Sequence, residues 1–255
     1  MNRSKSYFYP MRIYHNHIKK VLLDTYAYGA ENLLDMACGK GGDLLKWMEC
    51  SIPHVWGYDI DEKSIKECIK RYTELKETYH SVDYKFSTKD LSTNILPKLL
   101  DDKKMDVVTC MFAWHYFFKN ENTFTTFINS MNNNLKKGGY FICCFFDGDK
   151  VVSSIKTLDN QQQFSIVIKN YDKNNLFSNT ISVKINDTVL EEKTDEYLIM
   201  MEPMINRMKK EGYHLIKTDM FESSYYKWKQ QSKKFLKDPE RVLSSLNRWC
   251  VFVKL

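Results

Sequence analysis

A strongly apolar run, Asn32-Leu33-Leu34-Asp35-Met36-Ala37-Cys38, ends in the turn Gly39-Lys40-Gly41-Gly42. Glycines at such a turn let the backbone approach a ligand closely. An acid closing the next strand can hold ribose hydroxyls, and Asp59 follows Gly39 by 20 residues, the offset of about 20 expected of a nucleoside site. The turn lacks GxGxxG, which opens a helix beneath a pyrophosphate, and GxxxxGK[ST], which cradles phosphates. Gly39 and Asp59 therefore point to a nucleoside cofactor. Metal chemistry is not expected. The seven cysteines are odd in number and none has CxxC spacing, while Cys110, Cys143 and Cys144 sit in apolar runs. They read as buried, reduced thiols.

Elements must position these residues. Residues 14–23 carry Ile18, Val21 and Leu22 at helical spacing. Residues 32–38 read as a strand and Asp43 to Glu49 as a helix. Val55 to Ile60 reads as a second strand ending in acid, with a long helix over 62–79. Strands are expected at Tyr84–Ser87, Asp106–Met111 and Tyr140–Phe146. A helix at Thr123–Leu135 is expected to close on Lys137-Gly138-Gly139 as a C-terminal glycine signal. Asp147-Gly148-Asp149 reads as a turn. This alternation implies an α/β fold with a doubly wound, mostly parallel sheet. The pattern then breaks. Short alternating runs between 160 and 200, such as Phe164–Ile168 and Ile181–Ile185, suggest a small antiparallel β insertion. A helix at Pro203–Glu211 and strands near His214–Thr218 and Trp249–Lys254 return to the main layer.

The chain has 255 residues, 43% hydrophobic and 27% charged, with net charge +6. That fits one globular domain, 1–255, with a cofactor half at about 14–150 and a substrate-side half at about 151–255. The mild basic excess permits a polyanionic partner without demanding one. Met1 to Lys5 carry no apolar signal core, and no run reaches transmembrane length. The expectation is a soluble, intracellular protein without a membrane partner. The lysines at 227, 229, 233, 234 and 237 read as one solvated helix face rather than an RNA track.

The string Asp35 to Gly41 looks like the glycine motif of S-adenosylmethionine-dependent methyltransferases. More specifically, LLDMACGKGGDLLKW (Leu33–Trp47) resembles the hallmark of mRNA cap guanine-N7 methyltransferases. TCMFAWHYFF (Thr109–Phe118), TDEYLI around Glu196 and the Asn16-His17-Ile18-Lys19 helix are similar to further segments of that family. Asp147-Gly148-Asp149 and Ser232–Phe235 most resemble its members from large DNA viruses. The resemblance runs from about residue 14 to the C-terminus. It implies a seven-stranded, Rossmann-like methyltransferase sheet and transfer of a methyl group from S-adenosylmethionine to the guanine of 5′-capped RNA. It further implies that Lys19, Ala37, Gly39, Asp59, Asp90, Met111 and Tyr116 hold the cofactor or its product S-adenosylhomocysteine. Asn16, Lys40, Lys46, Arg71, His115, Glu196 and Asn247 would hold the cap. Capped RNA is the implied partner, beside other capping enzymes or a stimulatory subunit. The implied compartment is the nucleus if cellular, or cytoplasm or virion if viral.

Three departures from the family stand out. Ala37 replaces a glycine, Met111 a glutamine, and Asn247, beside Arg248 and Trp249, falls where the family places a tyrosine over the base. The implied chemistry needs no general base, because guanine N7 carries a lone pair and no proton. Positioning by His115, Tyr116 and Glu196 would suffice, with the nucleophile about 3 to 3.5 Å from the methyl. Two other readings compete: a methyltransferase with a different substrate, and a non-enzymatic cap-binding subunit that has lost its cofactor.

Overall fold

A computed structural model describes residues 6–101, 103–158, 162–186, 188 and 192–255. Met1 to Lys5, read above as lacking a signal core, lie outside the described residues. Strands β1 (Asn32–Asp35), β2 (His54–Asp59), β3 (Asp83–Thr88), β4 (Met105–Met111) and β5 (Leu135–Phe146) join β9 (Tyr213–Met220) and β10 (Asn247–Lys254) in one sheet. The order is β3-β2-β1-β4-β5-β10-β9, with β10 antiparallel to both neighbours. Every residue of β1 is buried, as a central strand covered on both faces requires. Strand order reverses between β1 and β4, so ligands are expected at the carboxyl ends of these strands.

Helices cover both faces: α1 (Tyr9–Tyr26), α2 (Leu44–Glu49), α3 (Glu62–Lys76), α4 (Glu121–Asn134), α5 (Gly148–Leu158), α6 (Met201–Lys210), α7 (Phe221–Ser232) and α8 (Asp238–Ser245). On α1, Met11, Tyr14, Ile18 and Leu22 are buried at helical spacing. Buried Glu240 ties α1 to α8, accepting Met11 N–H at 2.9 Å and Lys237 N–H at 3.0 Å. The insertion is a three-stranded antiparallel sheet of β6 (Phe164–Asn170), β7 (Thr180–Ile185) and β8 (Thr194–Tyr197). All seven cysteines are buried free thiols.

Three local expectations need correction. Helix α4 does not end at the Gly138 signal: Leu135 already has strand geometry, with ψ 132°. Gly138, at φ +73°, instead lies in the register shift by which β5 joins β4. Asp147-Gly148-Asp149 is no free turn but the start of α5, where Asp147 Oδ1 accepts Lys150 N–H at 2.7 Å. The late lysines do not share one helix face, because α7 ends at Ser232 and Lys233 is left-handed at φ +55°.

Candidate functional site

The turn after β1 is built around two left-handed glycines, Gly39 at φ +51° and Gly41 at φ +67°. A Cβ on Gly41 would stand 2.6 Å from Leu44 Cδ1 and 2.8 Å from Cys68 Sγ. Only glycine meets both demands. Gly39 N–H donates to Asp59 Oδ2 at 2.8 Å, so the acid closing β2 also fixes the turn. Asp59 Oδ1 accepts Asp61 N–H at 3.0 Å. Below the turn, buried Asp35 accepts Ala37 N–H at 2.9 Å. Burial and the neighbouring Asp43 carboxylate push the Asp35 carboxyl up to about 7.

Just before the turn, Ala37 lines a cavity of about 1070 Å³ with Asp59, Ile60, Asp90, Leu91 and Tyr116, among others; Gly39 is not on that lining and reaches it through its bond to Asp59. Asp90 stands just past β3 and also orders its own loop, accepting from Ser92 N–H (2.9 Å), Ser92 Oγ (2.6 Å) and Thr93 Oγ1 (3.0 Å). Burial would raise its carboxyl, but those bonds hold it below the usual range. Met111 does not line the cavity; it is buried with Sδ 3.5 Å from Cys144 Sγ.

Beyond Tyr116 lies a smaller pocket of about 150 Å³. Its walls include His15, Phe112, His115, Glu196 and Asn247. Phe112, the residue after β4, is left-handed at φ +62° without being glycine, a strained conformation that tends to mark functional positions. Its ring lies nearly parallel to that of His15, at 11° and 5.3 Å between centroids. His15 also has Nε2 2.9 Å from Ser244 Oγ. Burial, aided by the Lys19 charge, lowers the imidazole pKa to about 3, so the ring is neutral.

Glu196, 3% exposed, projects from β8 into this pocket. Tyr116 Oη donates to its Oε1 at 3.2 Å, and His115 Nε2 stands 3.5 Å from its Oε2. Burial would raise the Glu196 carboxyl, yet His115 and Tyr116 outweigh it and hold the group below its usual value. The wall therefore presents a carboxylate at neutral pH.

The cationic residues divide into two groups. Lys19 and Lys46 both reach buried Asp43, at 2.7 and 2.9 Å. Lys46 also donates to Asn16 Oδ1 at 2.8 Å. Burial opposes the Asp43 charge, but the two ammonium groups outweigh it and keep the carboxyl low. Lys40 and Arg71 line a separate groove of about 520 Å³ with Lys63 and Glu67, and Arg71 Nη1 donates to the Lys40 carbonyl at 2.5 Å. At the C-terminal strand Asn247 lines the small pocket and donates to the Leu243 and Ser244 carbonyls. Arg248 pairs with Asp147, and Trp249 lies in a different groove, between α1 and α7.

Sequence reasoning missed His15, Asp43 and Lys63. Asp43 could have been found, since it directly follows the glycine turn at the start of α2, three residues before Lys46. Nothing in the local pattern distinguishes His15 from any half-buried helix residue.

Residues 1–246 match the model of the mRNA (guanine-N(7))-methyltransferase domain. The chain is 25% identical over 266 residues to the probable mRNA-capping enzyme of Acanthamoeba polyphaga mimivirus, covering 88% of this chain and 22% of that protein. It is 35% identical over 153 residues to the mRNA cap guanine-N(7) methyltransferase of Schizosaccharomyces pombe, covering 58% and 42%. The chain thus spans less than half the length of these curated relatives. Among solved structures it is similar to an S-adenosylmethionine-dependent methyltransferase from Clostridium acetobutylicum (TM-score 0.55, 16% identity, 99% of this chain and 94% of that one). It is also similar to the PH0226 protein of Pyrococcus horikoshii (TM-score 0.61, 16% identity, 95% and 91%). At such identities the structural likeness speaks for the fold.

Proposed function

The chain belongs to the mRNA (guanine-N7)-methyltransferase family, and from that premise we propose that it methylates N7 of the terminal guanine of 5′-capped RNA, using S-adenosylmethionine. One observation carries the reading: Tyr116 lines the large cavity and hydrogen-bonds Glu196, which lines the small pocket. A cofactor cleft and a carboxylate-walled, base-sized pocket thus share one wall.

The residues of the large cavity fit the cofactor. A left-handed glycine turn permits close backbone approach, Asp59 closes β2 where a ribose would be held, and Ile60 and Leu91 offer apolar surface to a purine. Ala37, Gly39, Asp59, Asp90 and Tyr116 would hold it, with Lys19 and Met111 supporting the turn and strand from behind. When bound, S-adenosylmethionine supplies a methyl already activated on sulfonium sulfur.

The protein's own task is to bind and orient. Glu196 can accept two hydrogen bonds from the Watson–Crick edge of guanine, a pattern adenine does not supply. Its negative charge also favours the positive charge that develops as N7 is alkylated. His115 and Tyr116 fix the carboxylate, and Asn247 and the His15–Phe112 pair bound the base. No residue need remove a proton, because N7 carries none. Asn16, Lys40, Lys46 and Arg71 would meet the cap ribose and phosphates. Among the described residues, no helix is long and apolar enough to cross a membrane and no cluster is suited to a metal ion. An unmethylated cap must come from capping activities that act earlier.

Incubation with labelled S-adenosylmethionine and GpppA-capped RNA tests the proposal. Nuclease digestion should release labelled 7-methylguanosine. Label elsewhere, or none with protein that binds S-adenosylhomocysteine, would overturn it.

A further inference from the structure

We propose that the outer half of the large cavity is a second compartment that accepts a substituent on the exocyclic N6 of the cofactor adenine, so that N6-extended S-adenosyl compounds bind this protein. The inference rests on the cofactor reading above. A cleft for a drug-sized ligand holds about 300–1,000 Å³, and this cavity, at about 1070 Å³, reaches the top of that range. Its walls divide in two. Ala37, Asp59, Ile60 and Leu91 surround the end at the glycine turn. The second set comes from the loop after β3 (Ser92, Thr93 and Ile95) and from α4 (Asn122, Thr126 and Asn129). Nothing in the methyl-transfer geometry uses that second set.

Asp90 stands at the boundary and limits how the adenine amine is held. Its carboxylate is already occupied by the loop's own donors: Ser92 N–H, Ser92 Oγ and Thr93 Oγ1, with the Thr93 N–H also directed at it. A carboxylate offers about four acceptor positions, so these donors leave little or no capacity that would require both hydrogens of the amine. A singly substituted N6 keeps one N–H and loses nothing at Asp90.

The chemistry of the outer compartment indicates what it takes. Ile95, 46% exposed, lines the cavity together with Thr125 and Thr126. Glu121, the nearest acid of α4, is held by Arg207 at 2.9 Å, and Asp195 of β8 by Lys169 at 2.5 Å. Apart from Lys89, Lys119 and the Lys169-paired Asp195 on its lining, the walls are uncharged and mix apolar and polar groups. That suits an uncharged aromatic or alkyl group such as benzyl. The wall is also firmly placed: Asn120 accepts Thr123 N–H at 3.0 Å in a capping box that fixes the start of α4.

Isothermal titration with S-adenosylhomocysteine and its N6-benzyl derivative decides the matter. The wild-type protein should bind the two within about tenfold of each other. Thr126→Trp, and separately Asn122→Trp, should keep S-adenosylhomocysteine binding and weaken the benzyl compound by more than about tenfold, because the indole fills the space. Circular dichroism identifies a variant that fails to fold, and the other then serves. Wild-type protein that binds the benzyl compound more than tenfold weaker overturns the inference, as do folded variants that bind both ligands as the wild type does. Absence of binding to S-adenosylhomocysteine itself would instead defeat the cofactor reading.

Discussion

Tyr116 and Glu196, 80 residues apart in the chain, meet through a 3.2 Å hydrogen bond between the phenol and carboxylate Oε1. The phenol comes from the turn after β4 and the carboxylate from the inserted three-stranded sheet, so the bond ties the inserted sheet to the main one at the wall between two cavities.

That position makes Glu196→Gln the most informative substitution. The amide keeps the shape but can accept only one of the two guanine hydrogen bonds, and it loses the charge opposite the alkylated base. We expect kcat/KM for capped RNA to fall by about 10²- to 10³-fold, about 3 to 4 kcal/mol. S-adenosylhomocysteine affinity should stay near the wild-type value. Initial rates on GpppA-capped RNA, with calorimetry for the product, check both parts; equal losses in the two would contradict the assigned role.

Asp43→Ala should act on stability as well as binding. It would leave Lys19 and Lys46, each 12% exposed, with no carboxylate between them. Removing one partner from such a buried cluster costs about 3 to 5 kcal/mol. Urea unfolding should show that loss, and S-adenosylhomocysteine affinity should drop because the glycine turn adjoins Asp43. An unfolding free energy within about 1 kcal/mol of the wild type would refute the claim.

Gly41→Ala tests the backbone of the turn. The new Cβ would be strained at φ +67° and pressed against Leu44 and Cys68. We expect about 1 to 3 kcal/mol of destabilisation and, for a chain of this size, a Tm lower by roughly 2–4 °C per kcal/mol. Thermal denaturation followed by circular dichroism measures it. Gly42, where a Cβ meets nothing within 4 Å, is the control and should tolerate alanine far better.

Asp35 gives a pH signature. Its carboxyl is raised from 3.8 to about 7 in the folded protein, so folding favours the protonated form. The stability it contributes is complete below about pH 4 and is lost as pH rises toward 7. The shift corresponds to an upper bound of about 4 kcal/mol. Asp35→Asn removes the titration. The difference between wild-type and variant unfolding free energies should therefore change between pH 4 and 7 and be flat above about 8; a difference constant over the whole range would contradict the assignment.

Much of this protein was legible in its residues. Long apolar strands such as Asp106–Met111 announce themselves because a central parallel strand is buried on both faces. The turn at Gly39 and the acid at Asp59 were readable because their chemistry is local and their spacing follows from one strand-helix-strand unit. Helix α5 was hidden because Asp147-Gly148-Asp149 has turn composition, and only the bond from Lys150 N–H to Asp147 makes it a helix start. Gly138 misled because a glycine after a helix and a glycine in a strand irregularity look alike until strand register is known. What the tertiary structure alone decided was partnership: Lys46 with Asp43 and Asn16, Lys40 with Arg71, Asn247 in the small pocket with Trp249 outside it, and His15 laid along Phe112. Such pairings depend on how helices and an inserted sheet settle on a common layer, and no short-range pattern in the chain encodes distances between residues so far apart along it.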